Sequence, residues 1–167
     1  MSTRTSFQGL SYANEGFVLM QVDATERWKY TPLDAQTAGE GVMSEFKDKV
    51  VIVTGGALGM GGVTAEEFSN RGALVVVADV NRDAGEVIEM RIRTEGNDAV
   101  FVEADVSVAS QCQIVVERAV GEFGGVDILF NNVGIQPATS YMNVENTPEE
   151  TWDSIVGVNL KSHFLIS

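Results

Sequence analysis

Val50-Val51-Ile52-Val53-Thr54 runs directly into Gly55-Gly56-Ala57-Leu58-Gly59-Met60-Gly61-Gly62, which places five glycines within eight residues. Glycines at this density leave backbone N–H groups uncovered by side chains, and that is the chemistry of a phosphate cradle. The apolar run before them is too short for a helix and reads as a strand buried on both faces. After them, a helix starting near Met60 carries Val63 and Phe68 at helical spacing and meets a natural C-terminal cap at Gly72. The cradle therefore sits at a helix N-terminus, where the macrodipole attracts an anion. With 11 Lys and Arg against 24 Asp and Glu the net charge is −13. Backbone groups must supply most of the attraction for a phosphate, and a nucleic-acid partner is disfavoured.

Further elements follow in alternation. "ALVVVADV" is a second buried strand ending at Asp79, a helix runs from about Arg82 to Glu95 and stops at Gly96, and "AVFVEAD" is a third strand. Ser107 is placed to cap a helix reaching Gly124-Gly125, and "VDILFNN" is the fourth strand. The last segment opens with Thr147 as N-cap, Pro148 at the first helical position and Glu150 three after the cap, a capping box. Strands alternating with helices imply right-handed crossovers and a doubly wound parallel α/β sheet, Rossmann-like, over residues 45–167.

The glycine spacing is neither G-x-G-x-x-G, because Thr occupies position 64, nor a P-loop, because no Gly-Lys-Ser/Thr follows. With Thr54 it reads T-G-x-x-x-G-x-G, and in this motif the sequence resembles the short-chain dehydrogenase/reductase family. The resemblance extends over residues 47–167. "ADVS" supplies Asp105 and Val106 after the third strand, and "NNVG", from Asn131 through Asn132 and Val133 to Gly134, ends the fourth with Val in place of the usual Ala. It implies that Gly55 makes the tight turn and that Gly59 admits the pyrophosphate. Gly61 would let the helix pack, and Leu58 and Met60 lie in the same loop. Asp105 and Val106 would hold adenine, and Asn132 and Gly134 would line the cofactor. Asp79, 18 residues after Gly61, would accept the ribose hydroxyls and repel a 2′-phosphate, which favours NAD over NADP. Leu58 and Val80 occupy positions where NADP users tend to be basic, although Arg82 is close by.

The resemblance further implies hydride transfer between nicotinamide and a small-molecule alcohol or ketone. A Tyr in Y-x-x-x-K would act as acid or base, a Ser would orient substrate and an Asn would help hold a relay water. "VNLKSHF" assigns the last role to Asn159, the catalytic candidate. Tyr12, Tyr30 and Tyr141 are followed four residues on by Gly16, Asp34 and Glu145 rather than Lys. The sequence thus reads as the cofactor-binding half of such an oxidoreductase, truncated before the catalytic Ser and Tyr and inactive alone. The alternative is a catalytically silent dinucleotide-binding or interaction module. A homo-oligomer is the protein partner left open.

Residues 1–44 hold one short apolar run, Phe17 to Val22, then the Gly-rich "TAGEGVM", and read as an N-terminal extension plus linker, frayed or loosely docked. The single cysteine, Cys112, excludes an internal disulfide and a cysteine-rich zinc site, and reads as core filler on a helix. No ligand cluster suggests a metal, and His163 reads as a packing or surface residue. No apolar window approaches a membrane span, and the polar start lacks a signal-peptide core, so the expected location is cytoplasmic.

Overall fold

The computed structural model describes residues 8–13, 16–22, 28–32, 45–141 and 143–167. The chain divides into two compact units, Met1–Met43 and Ser44–Ser167. In the first, β1 (Gln8–Ala13), β2 (Gly16–Val22) and β3 (Trp28–Pro32) form an antiparallel sheet in that order. Its register pairs Leu10 with Leu19 and Met20 with Tyr30. The apolar run seen in the sequence is the middle strand; its neighbours alternate too briefly to register as runs.

The second unit is a four-stranded parallel sheet of order β6-β5-β4-β7. In chain order it comprises β4 (Val50–Thr54), α1 (Gly59–Asn70), β5 (Leu74–Asp79), α2 (Arg82–Thr94), β6 (Ala99–Glu103), α3 (Ala109–Phe123) and β7 (Ile128–Asn131). Two short 3₁₀ turns, Ala138–Tyr141 and Val144–Asn146, lead into α4 (Glu149–Val156). A π-helical turn, Gly157–Lys161, continues it into α5 (Ser162–Ile166).

Alternation along the strands divides the core between two faces. Val50, Ile52, Val76 and Ala78 pack with Cys112, Val115 and Ala119 of α3 and Ile166 of α5. Val51, Val53, Val75 and Val77 pack with Ala65 of α1 and Ile88 and Ile92 of α2. Such double burial is why these strands read as continuous apolar runs. The chain first crosses from β4 to β5 and β6 on one side, then returns to place β7 on the other. This reversal makes a topological switch point between β4 and β7, outside whose carboxyl ends ligands bind in open α/β sheets.

Two local expectations are corrected. Ser107 does not cap α3: its hydroxyl donates to Asp105 Oδ1 at 2.7 Å, and the N-cap is Val108 with no side-chain bond. Thr147 makes no capping box: its hydroxyl donates to the Asn143 carbonyl at 3.3 Å, and Pro148 takes the N-cap position. In both cases a nearby acceptor competes for the hydroxyl. Of the two residues at helical spacing on α1, Phe68 packs against the core while Val63 is 47% exposed, and the buried residues of the helix are Gly61, Gly62, Ala65 and Ser69.

Candidate functional site

Beyond Thr54 the chain turns sharply over the end of β5, with Gly55 N–H and Gly56 N–H both donating to the Ala78 carbonyl at 2.8 and 3.4 Å. Gly55 takes a φ of +64°, a left-handed conformation that glycine adopts without strain. A Cβ there would stand 2.9 Å from Val133 Cα, so the loop leaving β7 lies directly against the turn. Asn132 secures that contact by donating its amide to the carbonyls of Thr54 and Gly55, each at 3.1 Å. The fully buried Thr54 hydroxyl accepts from Asn132 N–H at 3.1 Å and Val133 N–H at 3.3 Å. Sequence reading counted Thr54 only as a motif letter; its hydroxyl bonds across the switch point.

The N-terminus of α1 faces out of this turn. Leu58 is its N-cap and provides no side-chain bond. The first backbone bond into the helix is Gly62 N–H to the Leu58 carbonyl at 3.2 Å. The N–H groups of Gly59, Met60 and Gly61 therefore have no intrahelical acceptor. Gly59, at φ +56°, has nothing within 4 Å of where a Cβ would be, so the approach to these N–H groups is open. Gly61 is the opposite case: a Cβ there would overlap the Gly55 carbonyl oxygen and crowd the Asn132 amide. Leu58 and Met60 flank the opening as exposed side chains.

Asp79 ends β5 beside this loop. Its Oδ2 accepts from Ala57 N–H at 3.1 Å and its Oδ1 from Asn81 N–H at 2.9 Å. The carboxylate thus fixes both the glycine loop and the entry to α2, while each oxygen keeps a lone pair for another donor. Asn81 was missed in the sequence; it also caps α2 by accepting from Ala84 N–H at 3.1 Å. Past β6, Asp105 Oδ1 accepts from Ser107 N–H at 2.9 Å and from the Ser107 hydroxyl. Asp105 N–H in turn donates to Gln111 Oε1 at 2.7 Å. Val106 is buried, and its carbonyl accepts from the Cys112 thiol. Burial pushes that thiol's pKa up, away from reactivity.

On the other side of β4, Asn159 lies within the π-helical turn. Its Oδ1 accepts from Ile135 N–H at 2.8 Å and its Nδ2 donates to the Ile135 carbonyl at 2.9 Å. Both backbone groups of Ile135 are held by one side chain, as a neighbouring strand would hold them. Gly134, Ile135, Gln136, Ser140, Ile155 and Asn159 line an open cleft of about 400 Å³. Asn131 Oδ1, nearby at the end of β7, is buried and lacks a hydrogen-bond partner among the described residues. The candidate residues thus fall into two groups, one around the α1 N-terminus with Asp79 and Asp105, the other at Gly134 and Asn159. Asn132 joins them.

Among the described residues no helix is long and apolar enough to cross a membrane, and no group of three or more His, Cys, Asp or Glu could hold a metal. The family model for short chain dehydrogenase matches residues 49–167. An uncharacterized oxidoreductase of Thermotoga maritima is 39% identical over 122 residues, covering 73% of this chain and 47% of the relative. Cyclopentanol dehydrogenase of a Comamonas species is 36% identical over 123 residues, with 74% and 48% covered. Tropinone reductase-like 2 of Erythroxylum coca is 35% identical over 130 residues, with 77% and 46% covered. A solved structure of a Serratia marcescens short-chain dehydrogenase/reductase mutant superposes with a TM-score of 0.68 at 28% identity, over 75% of this chain and 49% of that one. The chain spans about half the length of these relatives. A glycine turn and carboxylate at the end of a parallel sheet, with a family model matched across the whole of that sheet, lead to one assignment: the chain belongs to the short-chain dehydrogenase/reductase family.

Proposed function

We propose that the Ser44–Ser167 unit binds NAD(H) and forms the cofactor-binding half of an oxidoreductase acting on an alcohol or ketone, working in the cytoplasm. The observation that carries this reading is Asp79, tied to the glycine loop at Ala57 N–H and standing beside an uncapped, open helix N-terminus. The N–H groups of Gly59, Met60 and Gly61 would receive the pyrophosphate, assisted by the helix dipole. Asp79 would accept the ribose hydroxyls with its remaining lone pairs, and Asp105 and Val106 would border the adenine. Gly134 and Asn159 would stand at the nicotinamide end, where Asn159 holds the Ile135 backbone in place. The bound nicotinamide supplies or accepts the hydride.

Titration of the chain with NAD(H) and NADP(H) tests the reading. Repulsion from Asp79 and lost hydrogen bonds should cost the 2′-phosphorylated cofactor about 1–3 kcal/mol. Equal or tighter binding of NADP(H) would refute it.

A further inference from the structure

Arg82, the first residue of α2, lies three residues beyond Asp79, on the same β5–α2 connection as the carboxylate that a ribose 2′ substituent would meet. By charge alone it would welcome a 2′-phosphate and blur the discrimination assigned to Asp79. Its guanidinium is engaged elsewhere. Nε donates to Glu103 Oε2 at 2.7 Å, and Nη1 stands 3.9 Å from Glu86 Oε1. Glu103 is the last residue of β6 and the register partner of Asp79. In a parallel sheet the two carboxylates therefore spring from adjacent strands about 4.8 Å apart. Arg82 thus has two acidic side chains within 4 Å at this corner, Glu103 and Glu86, and Asp79 is neither of them.

We propose that Glu103 is a specificity-determining residue for the cofactor: by holding Arg82 it withholds a cation from the 2′ position. The inference rests on the NAD reading above and extends it to a residue two elements downstream. Glu103 acts through Arg82 and need not touch the cofactor. Because Arg82 and Glu103 are both substantially exposed, their pair contributes little to the stability of the fold. Replacing Glu103 should therefore release Arg82 without disturbing the sheet.

The test is equilibrium binding to the 167-residue chain at low ionic strength, where screening is least. The probes are 5′-AMP against adenosine 2′,5′-bisphosphate, and NAD against NADP. The proteins are wild type, Glu103→Gln, Arg82→Ala and the double variant. Glu103→Gln should raise relative affinity for the 2′-phosphorylated member of each pair about three- to tenfold. In the Arg82→Ala background the same substitution should change the ratio by less than about twofold, since no cation is left to release. An equal gain in both backgrounds would mean a general charge effect and would overturn the role of the pair. No gain in either would overturn it as well. In those two cases a wild type that prefers the unphosphorylated ligands keeps the NAD reading intact, whereas a wild type that prefers the 2′-phosphorylated ligands, or binds neither, removes both.

Discussion

The two sides of β4 are built differently. Toward β5 and β6 the sheet is closed: β4 is buried along its whole length, β5 everywhere but its ends, and the carboxyl-end loops are fixed by the bonds of Asp79 and Asp105. Toward β7 it is open: that strand contains no fully buried residue, Phe130 is 38% exposed and the buried Asn131 Oδ1 has no partner among the described residues. Yet the closed side depends on the open one. The Asn132 amide and the Thr54 hydroxyl make four bonds between the β7 exit and the glycine turn. The cradle is therefore a joint product of both sides, and under the proposed reading binding there is separable from turnover.

The largest expected effect is on turnover. The 167-residue chain should bind NAD yet show no measurable turnover with secondary alcohols, because no Tyr stands four residues before a Lys. General acid–base catalysis alone is worth about 10² to 10⁴ in rate, and lost substrate orientation adds to the deficit. Reduction of NAD by purified chain, with contaminating enzyme excluded by mass spectrometry, would show that the chemistry resides elsewhere in these residues.

Next come two glycines, one on each side. Gly61→Ala forces a methyl into the Gly55 carbonyl and should cost about 1–3 kcal/mol of stability together with the binding of NAD. Gly134→Ala brings its methyl no closer than 3.7 Å to Asn159 Oδ1, an ordinary contact. It should shift stability by no more than about 0.5 kcal/mol. Denaturant midpoints and NAD titrations of the two variants decide it; similar losses in both would erase the distinction between the sides.

A smaller effect is expected from Asn159→Ala. Ile135 would lose both of its partners, although water can replace them at this exposed position. The local cost should be about 1 kcal/mol, seen as roughly fivefold faster amide exchange at Ile135. Gly55 and Gly56, bonded to Ala78, should keep their protection. Faster exchange there as well would mean that the open side supports the cradle through Asn159 too.

The smallest concerns the far end of β4. Asp127 Oδ2 accepts from Val50 N–H at 2.9 Å and Oδ1 from Lys49 Nζ at 2.9 Å. These bonds, the backbone one first, hold its carboxyl below the usual carboxylate range. A pKa depressed by folding gives stability that is present above the unfolded value near 3.9 and lost as pH falls through the folded one. Melting of the wild type should therefore fall more steeply below about pH 4 than that of Asp127→Asn. Parallel pH profiles would show that the β4–β7 junction does not depend on this charge.

Much of the fold was legible because burial on both faces writes itself as β-branched runs, as in Val75-Val76-Val77. The place of Asp79 at a strand end was legible because it closes such a run. Less legible was anything decided by a choice among hydrogen-bond partners. Ser107 and Thr147 had the right residue types for caps, but their hydroxyls went to Asp105 and to the Asn143 carbonyl. The Asn132 amide turned to the glycine loop for tertiary reasons that no spacing records. β1 and β3 escaped notice because short antiparallel strands need no apolar run.

The π-helical turn in the last helix changes how chain length relates to shape. Ser162 N–H reaches back five residues to the Gly157 carbonyl, so this stretch carries one residue more than an α-helical turn would need. That supernumerary residue widens the helix at the point where Asn159 leaves it for Ile135, while beyond it Ser162 and Ile166 are buried and Ile166 packs with α3. The reach toward the cleft is an insertion in an otherwise regular rod. A chain shortened by one residue here would rotate the side chains before it by about 100° against those after it, so that Asn159 and Ile166 could not both keep their present places.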